Sequence, residues 1–137
     1  MKVILIYGSA NDKPFMEPAR EYLSQNNVAF EETVLSAHRD LPELIEYLGN
    51  LEKSGEKAVI LAIAGLAAAL PGVVVMSCSL PVIGVPVPGG PLNGIDALLS
   101  ISQLPGGVPC TTVGLHKKAS LNAAMAAHRI IKFAEQN

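Results

Sequence analysis

Short apolar runs alternate with amphipathic segments along this chain, and the alternation predicts strands separated by helices. The apolar runs predict strands at Lys2–Tyr7, Val28–Leu35, Ala58–Ala62, Pro81–Pro86 and Val108–Val113. Helical spacing predicts helices from near Pro14 to Asn26, from Leu41 to Ser54, and over Ala67–Ser77, Ile95–Gln103 and Ser120–Glu135. Strands that alternate with helices form a parallel sheet with helices on both faces. We therefore expect a single domain over residues 1–137, a three-layer α/β/α sandwich with a flavodoxin-like, five-stranded parallel sheet in the order 2-1-3-4-5.

Polar residues at two predicted helix starts have the character of N-caps. Asn11 and Asp12 precede the first helix, and either side chain can accept a hydrogen bond from its first turn. Asp40 is followed three residues later by Glu43, which is the spacing of a capping box. Both starts lie directly after predicted strands, so they mark two strand-to-helix loops.

The composition favours an oligomer and argues against a nucleic-acid partner. Half of the 137 residues are hydrophobic and only 16% are charged, below the usual share of about 25%. A domain this apolar is expected to cover part of its surface with other copies of itself. The net charge of −2 and the absence of Trp give neither a basic footprint nor a base-stacking platform.

The sequence also predicts a cytoplasmic protein without a membrane span or a metal. No charged n-region or cleavage site precedes the first strand, so no signal peptide is expected. The apolar stretch from residue 58 to residue 87 is broken by Gly65, Pro71 and Pro81. Cys78 and Cys110 form no metal-binding pair, and the histidines are scattered.

The loop after the first predicted strand has the residues of a phosphate site. Gly8 lets the backbone approach a ligand, and the Ser9 hydroxyl and nearby N–H groups can bind a phosphate. Asp12 can accept hydrogen bonds from ribose hydroxyls. The alternative is an ordinary capped turn, and the spacing is not that of a dinucleotide fingerprint.

The tetrapeptide Ser36–Arg39 follows the second predicted strand. His38 can move a proton near pH 7, and Arg39 can hold a phosphate with its planar fork. Ligands of open α/β sheets bind at this edge, although an isolated His-Arg pair can also be a solvated loop. The pair points to an enzyme that acts on a phosphorylated small molecule.

The loop after the third predicted strand offers no acid, base or nucleophile. Its residues, from Ala64 to Gly72, are mostly small and apolar. They can supply backbone N–H groups and a dry volume that suits an uncharged intermediate, or they can simply allow close packing of helix on sheet. The uncharged loop from Pro86 to Gly94 can be a wall of the cleft or a subunit contact. His116 and His128 are expected on the surface.

With these segments in place, nearly the whole chain resembles the PurE family of purine biosynthesis. The motifs that carry the resemblance are Gly8-Ser9-x-x-Asp12, Ser36-Ala37-His38-Arg39, Ala64-Gly65-x-Ala67-Ala68-x-Leu70-Pro71-Gly72, Pro81–Val87, Leu92-x-Gly94-x-Asp96, Gln103-x-Pro105-x-Gly107, and Lys117 with Asn122-Ala123-Ala124. The resemblance implies an enzyme that forms 4-carboxy-5-aminoimidazole ribonucleotide (CAIR) by moving a carboxylate from N5 to C4 of the imidazole ring.

The resemblance also implies roles for individual residues. His38 is the expected general acid/base, Ser9 and Asp12 are expected at the ribose phosphate end, and Arg39 is expected on the phosphate. The further candidates for substrate contact are Ser36, Ala64, Gly65, Ala67 and Leu70. No metal or organic cofactor is implied, the partner is the ribonucleotide substrate, and the assembly is a homo-octamer.

Departures from the family pattern widen the range of activities that fit the sequence. Ala69 stands where the mutase branch usually has His, which favours free CO2 as the donor in a direct carboxylase acting on aminoimidazole ribonucleotide (AIR). Leu66 and Ile63 stand where mutases tend to have Gly, Asn11 replaces a Ser, and Gly106 replaces an Arg. The sequence is also compatible with the PurE-like carboxylase/hydrolase of nickel-pincer cofactor synthesis and with a non-catalytic nucleotide-binding paralogue.

Overall fold

The computed structural model describes residues 1–136, and its centre is a parallel sheet of five strands. The strands are β1 (Lys2–Tyr7), β2 (Phe30–Val34), β3 (Ala58–Ala64), β4 (Val82–Pro86) and β5 (Thr111–Thr112). The helices are α1 (Glu17–Gln25), α2 (Leu41–Ser54), α3 (Leu70–Ser77), α4 (Ile95–Ser102) and α5 (Ala119–Glu135). The strand order is β2-β1-β3-β4-β5, which confirms the predicted topology.

The sheet is buried because successive side chains of its central strands enter two different cores. Along β1, Val3 and Leu5 belong to the core that includes residues of α1 and α5, whereas Ile4 and Ile6 belong to the core that includes residues of α2, α3 and α4. Every position of β3 is buried. Strands covered on both faces have continuous apolar sequences, which is the pattern that predicted them. The three-layer arrangement is therefore confirmed.

The start of α2 differs from the prediction. Asp40 is its N-cap residue, but no side-chain hydrogen bond to the helix is formed there. Instead, its carboxylate Oδ2 accepts a hydrogen bond from the Ser36 backbone N–H at 3.0 Å. The predicted capping box is therefore wrong, because the carboxylate satisfies a donor in the preceding loop. The helix ends as predicted, with Gly55 in the left-handed region at φ 68°.

The first helical segment is divided into two parts. Ala10–Met16 is a 3₁₀ helix, and its N-cap is Ser9 rather than Asn11 or Asp12. The α-helix starts only at Glu17, since Pro18 has no N–H to donate to the carbonyl of residue 14. The Glu17 N–H bonds the Pro14 carbonyl instead, in the tighter 3₁₀ pattern.

The last strand is much shorter than predicted. Only Thr111 and Thr112 pair with β4, whereas the apolar pattern predicted a strand over Val108–Val113. Pro109 cannot donate to the ladder, and the Cys110 N–H is used in a local bond to the Val108 carbonyl. Within residues 1–136, no helix combines the length and the apolar character needed to cross a membrane.

Candidate active site

Three loops meet at the carboxyl edge of the sheet, at the point where the strand order reverses. Tyr7, the last residue of β1, is in register with Val34 of β2 on one side and with Ile63 of β3 on the other. The strands therefore end at the same level, and the loops that follow them lie side by side. They line a cavity of about 520 Å³. Every residue predicted for the site lies on its wall: Ser9, Asp12, Ser36, His38, Arg39, Ala64, Gly65, Ala67 and Leu70.

The first loop presents a hydroxyl and a carboxylate to this cavity. Ser9 has an extended backbone, and its Oγ accepts a hydrogen bond from the Asn11 N–H at 3.2 Å. The Ser9 carbonyl accepts a hydrogen bond from the Asp12 N–H. Burial raises the pKa of the half-buried Asp12 carboxyl, while a backbone hydrogen bond from Ser9 acts in the opposite direction. Ser9 is thus the residue around which the loop turns.

The second loop is held in shape by Ser36, which is almost fully buried. Its carbonyl accepts the Asp40 N–H at 2.8 Å, and its Oγ accepts the Arg39 N–H at 3.3 Å. Together with the bond from its own N–H to Asp40, these contacts fix the turn that carries His38 and Arg39. Both of those side chains are exposed at the cavity, where a ligand can reach them.

Arg39 also connects the first two loops. Its Nη2 donates to the carbonyl oxygen of Gly8 at 3.4 Å. The guanidinium carries five N–H groups, so most of its donors stay available for an anion. The guanidinium and the Ser9 hydroxyl thus line the same cavity, a combination suited to a phosphate.

The third loop contains a backbone conformation that sequence reasoning did not locate. Leu66 lies in the left-handed region with φ 54°, and its side chain is 57% exposed at the cavity. At the base of the loop, the Ala64 carbonyl accepts the Val87 N–H at 3.0 Å, which joins it to the chain after β4. The sequence signal was present, since Leu66 stands at a position where the family pattern has Gly.

A polar network behind the first loop was also missed. The Tyr7 hydroxyl donates to Glu32 Oε1 at 2.5 Å, and Arg20 Nη1 lies 3.1 Å from both the Tyr7 hydroxyl and the Lys13 carbonyl. Burial and the Glu32 carboxylate raise the pKa of Tyr7, so the phenol stays protonated. The network fixes the 3₁₀ helix that follows Ser9. Its members are far apart in sequence, and only the strand pairing brings them together.

A second cavity of about 570 Å³ lies elsewhere, between β5 and α5. Arg129 is its one charged side chain, and it has no acid/base pair, so the cavity at the loops is the better candidate for chemistry. Among residues 1–136, no group of three or more His, Cys, Asp or Glu side chains is arranged to hold a metal ion.

The histidine on α5 does not lie on the surface, contrary to the prediction. His128 is only 7% exposed, and its Nδ1 is 3.1 Å from the Tyr22 hydroxyl of α1. Burial, and after it the positive charge of Lys132, lower the pKa of His128. His116 is exposed, as predicted. His128 is thus part of the packing between α1 and α5 rather than of the cavity.

Comparison with known proteins gives consistent similarities over the whole chain. The family model described as AIR carboxylase matches residues 2–137. The chain is 48% identical over 130 residues to the N5-carboxyaminoimidazole ribonucleotide mutase of Saccharolobus solfataricus, covering 95% of this chain and 80% of that protein. It is 46% identical over 127 residues to the phosphoribosylaminoimidazole carboxylase of Candida albicans, covering 93% of this chain and 22% of that protein.

The fold has a matching solved structure. The crystal structure of a Treponema denticola PurE2 variant superposes with a TM-score of 0.84 at 27% sequence identity. The match covers 97% of this chain and 82% of the Treponema chain. The similarity therefore extends over all three loops of the cavity as well as over the sheet.

Proposed function

The chain belongs to the AIR carboxylase (PurE) family, and we propose that it forms CAIR in de novo purine biosynthesis. The reaction moves a carboxylate from N5 to C4 of the imidazole ring of N5-carboxyaminoimidazole ribonucleotide (N5-CAIR). The observation that carries the proposal is that His38, Arg39 and Ser9 line one cavity in a chain of this family. A cavity of about 520 Å³ is within the size range of small-molecule sites, roughly 300–1,000 Å³.

The binding end of the proposal uses the first two loops. Arg39 pairs with the substrate phosphate through its free N–H groups, and the Ser9 hydroxyl donates to a phosphate oxygen. Asp12 accepts hydrogen bonds from the ribose hydroxyls. Ser36 contributes by fixing the turn that presents Arg39, through the bonds at its Oγ and carbonyl.

In the proposed reaction, His38 acts first as an acid and then as a base. The imidazolium gives its proton to N5 while the N5–carboxyl bond breaks, so that the bonding pair stays on N5 and CO2 is released. C4 of the resulting AIR then attacks CO2 and forms the new C–C bond. Neutral His38 removes the proton from C4, which restores the aromatic ring and the imidazolium. These reaction steps need no metal or organic cofactor.

The third loop gives the intermediate an apolar surrounding. Ala64, Gly65, Ala67 and Leu70 carry no group that can react with CO2 or hold a water molecule through a side chain. Small side chains here let the substrate ring approach the backbone closely, and exclusion of water protects the released CO2 from hydration.

One residue of the cavity points to free CO2 as a second possible source of the carboxylate of CAIR. Ala69 lines the cavity at the position where the mutase branch usually has His, and the Candida relative is named a carboxylase. With this donor, AIR and free CO2 bind together, and His38 carries out only the second proton transfer. The nickel-pincer and non-catalytic readings are not favoured by the comparisons, which name CAIR-forming enzymes.

We also propose that the active protein is a cytoplasmic homo-octamer. Large apolar side chains are exposed on the helices of one face of the sheet, among them Ile45, Met76, Ile95 and Leu99. Other copies of the chain can cover them, in agreement with the low charged fraction. Light scattering at micromolar concentration tests the subunit number.

The function is tested by following turnover with two substrates. Purified protein is incubated either with N5-CAIR in bicarbonate-free buffer or with AIR plus bicarbonate, and CAIR is identified by mass. Formation of CAIR from N5-CAIR supports the mutase, and formation from AIR plus bicarbonate alone supports the carboxylase. Absence of CAIR in both reactions contradicts the proposal.

A further inference from the structure

Leu66 combines two unfavourable features at one wall of the cavity. Its backbone lies in the left-handed region with φ 54°, a conformation that residues with a Cβ rarely adopt. Its side chain is 57% exposed, although it is one of the large apolar residues of the chain. Strained residues of this kind cluster at sites where ligands are held. Leu66 also lines the cavity, where a bound ligand can cover part of this apolar surface.

The side chain of Leu66 reaches from the third loop to the Gly/Pro-rich loop after β4. A Cβ built on Gly90 would lie 2.5 Å from Leu66 Cδ2, so the leucine occupies the space that a side chain at position 90 would need. Gly90 itself has φ 65°. The bond between the Ala64 carbonyl and the Val87 N–H holds the bases of the two loops together. Leu66 thus connects the cavity wall with the loop from Pro86 to Gly94, which contains Gly90.

The rest of the lining makes the position of Leu66 distinctive. The neighbouring side chains of the third loop are alanines and Gly65, and Leu70 is only 2% exposed. Leu66 is therefore the large apolar side chain that the third loop presents to the opening. The same cavity is lined by polar groups of the other two loops, including His38 and Arg39.

We propose that Leu66, seated against Gly90, closes the apolar side of the cavity and retains CO2 between its release from N5 and its addition to C4. This inference rests on the proposed function. CO2 is small, uncharged and weakly bound, so only a physical barrier can hold it near the ring. Leu66 changes no bond itself, and it acts by lowering the rate of CO2 escape relative to attack by C4.

The inference is tested by an isotope-retention experiment. N5-CAIR labelled with ¹³C in its carboxylate is converted in buffer that contains unlabelled bicarbonate, and the ¹³C fraction in CAIR is measured by mass. Uncatalysed loss of the label is subtracted from a reaction without enzyme. The variants are Leu66→Ala, which opens the barrier, Leu66→Met, which keeps an apolar side chain of similar volume, and Phe133→Ala, which shortens an exposed apolar side chain of α5 outside the cavity lining. Enzyme is added at concentrations that give equal turnover rates for all variants, so that the ratio of label lost to label retained reports how CO2 partitions within each turnover.

We expect wild-type protein, Leu66→Met and Phe133→Ala to retain most of the label. In Leu66→Ala, the ratio of lost to retained label rises on the order of tenfold, the scale on which a few methylenes act in an apolar pocket. The same retention in Leu66→Ala as in wild type overturns the inference and leaves the proposed function intact. CAIR made by the wild-type protein with the isotope composition of the bicarbonate pool also overturns the inference. Absence of CAIR contradicts the proposed function itself.

Discussion

The guanidinium of Arg39 donates to the carbonyl oxygen of Gly8 at 3.4 Å, which joins the loop after β2 to the loop after β1. This contact brings the tetrapeptide Ser36–Arg39 against the segment that begins with Ser9. It leaves most of the Arg39 donors free at the cavity. The phosphate site that we propose therefore consists of two loops in contact, rather than of one loop alone.

Replacing Arg39 is expected to weaken substrate binding more than it slows the chemical step. Arg39→Ala raises KM about tenfold or more, because a hydrogen bond to a charged group contributes roughly 1.5–3 kcal/mol. Arg39→Lys keeps the charge but loses the fork, and it recovers only part of the affinity. Steady-state kinetics measure both variants. Arg129→Ala, an exposed arginine outside this cavity, is the matched control. An unchanged KM in Arg39→Ala refutes the phosphate role.

Replacing Asp40 is predicted to lower stability and turnover, whereas replacing Glu43, also at the start of α2, is not. Asp40→Ala removes the acceptor for the Ser36 N–H and lowers the free energy of unfolding by roughly 1 kcal/mol, the net contribution of a typical hydrogen bond. It also reduces turnover, since the turn that carries His38 loosens. Glu43→Ala changes neither, because no hydrogen bond of a capping box is formed. Urea unfolding measures the difference, and equal effects of the two substitutions contradict this account.

Leu66→Gly is predicted to be more stable than Leu66→Ala. Both variants lose the contact with Gly90, but only glycine removes the penalty of a Cβ in the left-handed region. The difference in free energy of unfolding is about 1 kcal/mol, the lower end of that penalty. Thermal or urea unfolding of the pair isolates the backbone contribution. If Leu66→Ala is as stable as Leu66→Gly, the backbone at position 66 is not strained.

The buried histidine on α5 makes stability depend on pH. Burial and Lys132 lower the pKa of His128 in the folded protein, while the unfolded chain titrates near its ordinary value of about 6.5. Below that value, His128 is protonated in the unfolded state but stays neutral in the folded state. The free energy of unfolding therefore falls as the pH falls. Glu135 on the same helix opposes the shift, and Tyr22 is the facing group on α1.

Two variants isolate this effect. His128→Gln can still form a hydrogen bond with Tyr22, and it is expected to flatten the decline in the free energy of unfolding between about pH 7 and 5.5, the range around the unfolded pKa. His116→Gln, at an exposed position, is expected to keep the decline of the wild type. Urea midpoints across the pH range measure both. An unchanged slope in His128→Gln assigns the pH dependence to other groups.

The sheet could be predicted from sequence because its central strands are apolar on both faces. Lys2–Tyr7 was predicted with its observed bounds, and the predicted strand order, chosen among the topologies that right-handed crossovers allow, was confirmed. Local hydrogen bonds were less accessible. Ser9, Asn11 and Asp12 are all good N-caps, and only the backbone at Ser9 decides among them. Pro18 and Pro109 altered element lengths through the N–H groups that they lack.

The composition of the cavity wall was predictable, but its energetics were not. Loops that follow neighbouring parallel strands meet at one edge, so the predicted topology already placed His38 near Ser9. The contact of Leu66 with Gly90 joins residues from separate loops, and no local pattern indicates it. The burial of His128 also depends on the packing of α1 against α5. The roles of the wall residues stay predictions until variants are assayed.

The most direct test of the account is the activity of His38→Asn. Asparagine keeps a polar side chain of similar size but cannot exchange a proton near neutral pH. We predict that CAIR formation falls by roughly a hundredfold to ten-thousandfold, the contribution of a general acid/base, while the Kd for AIR stays within about threefold of wild type. His116→Asn, at an exposed position outside the cavity lining, serves as the control and keeps full activity. Wild-type turnover in His38→Asn contradicts the assignment of His38 as the residue that moves the proton.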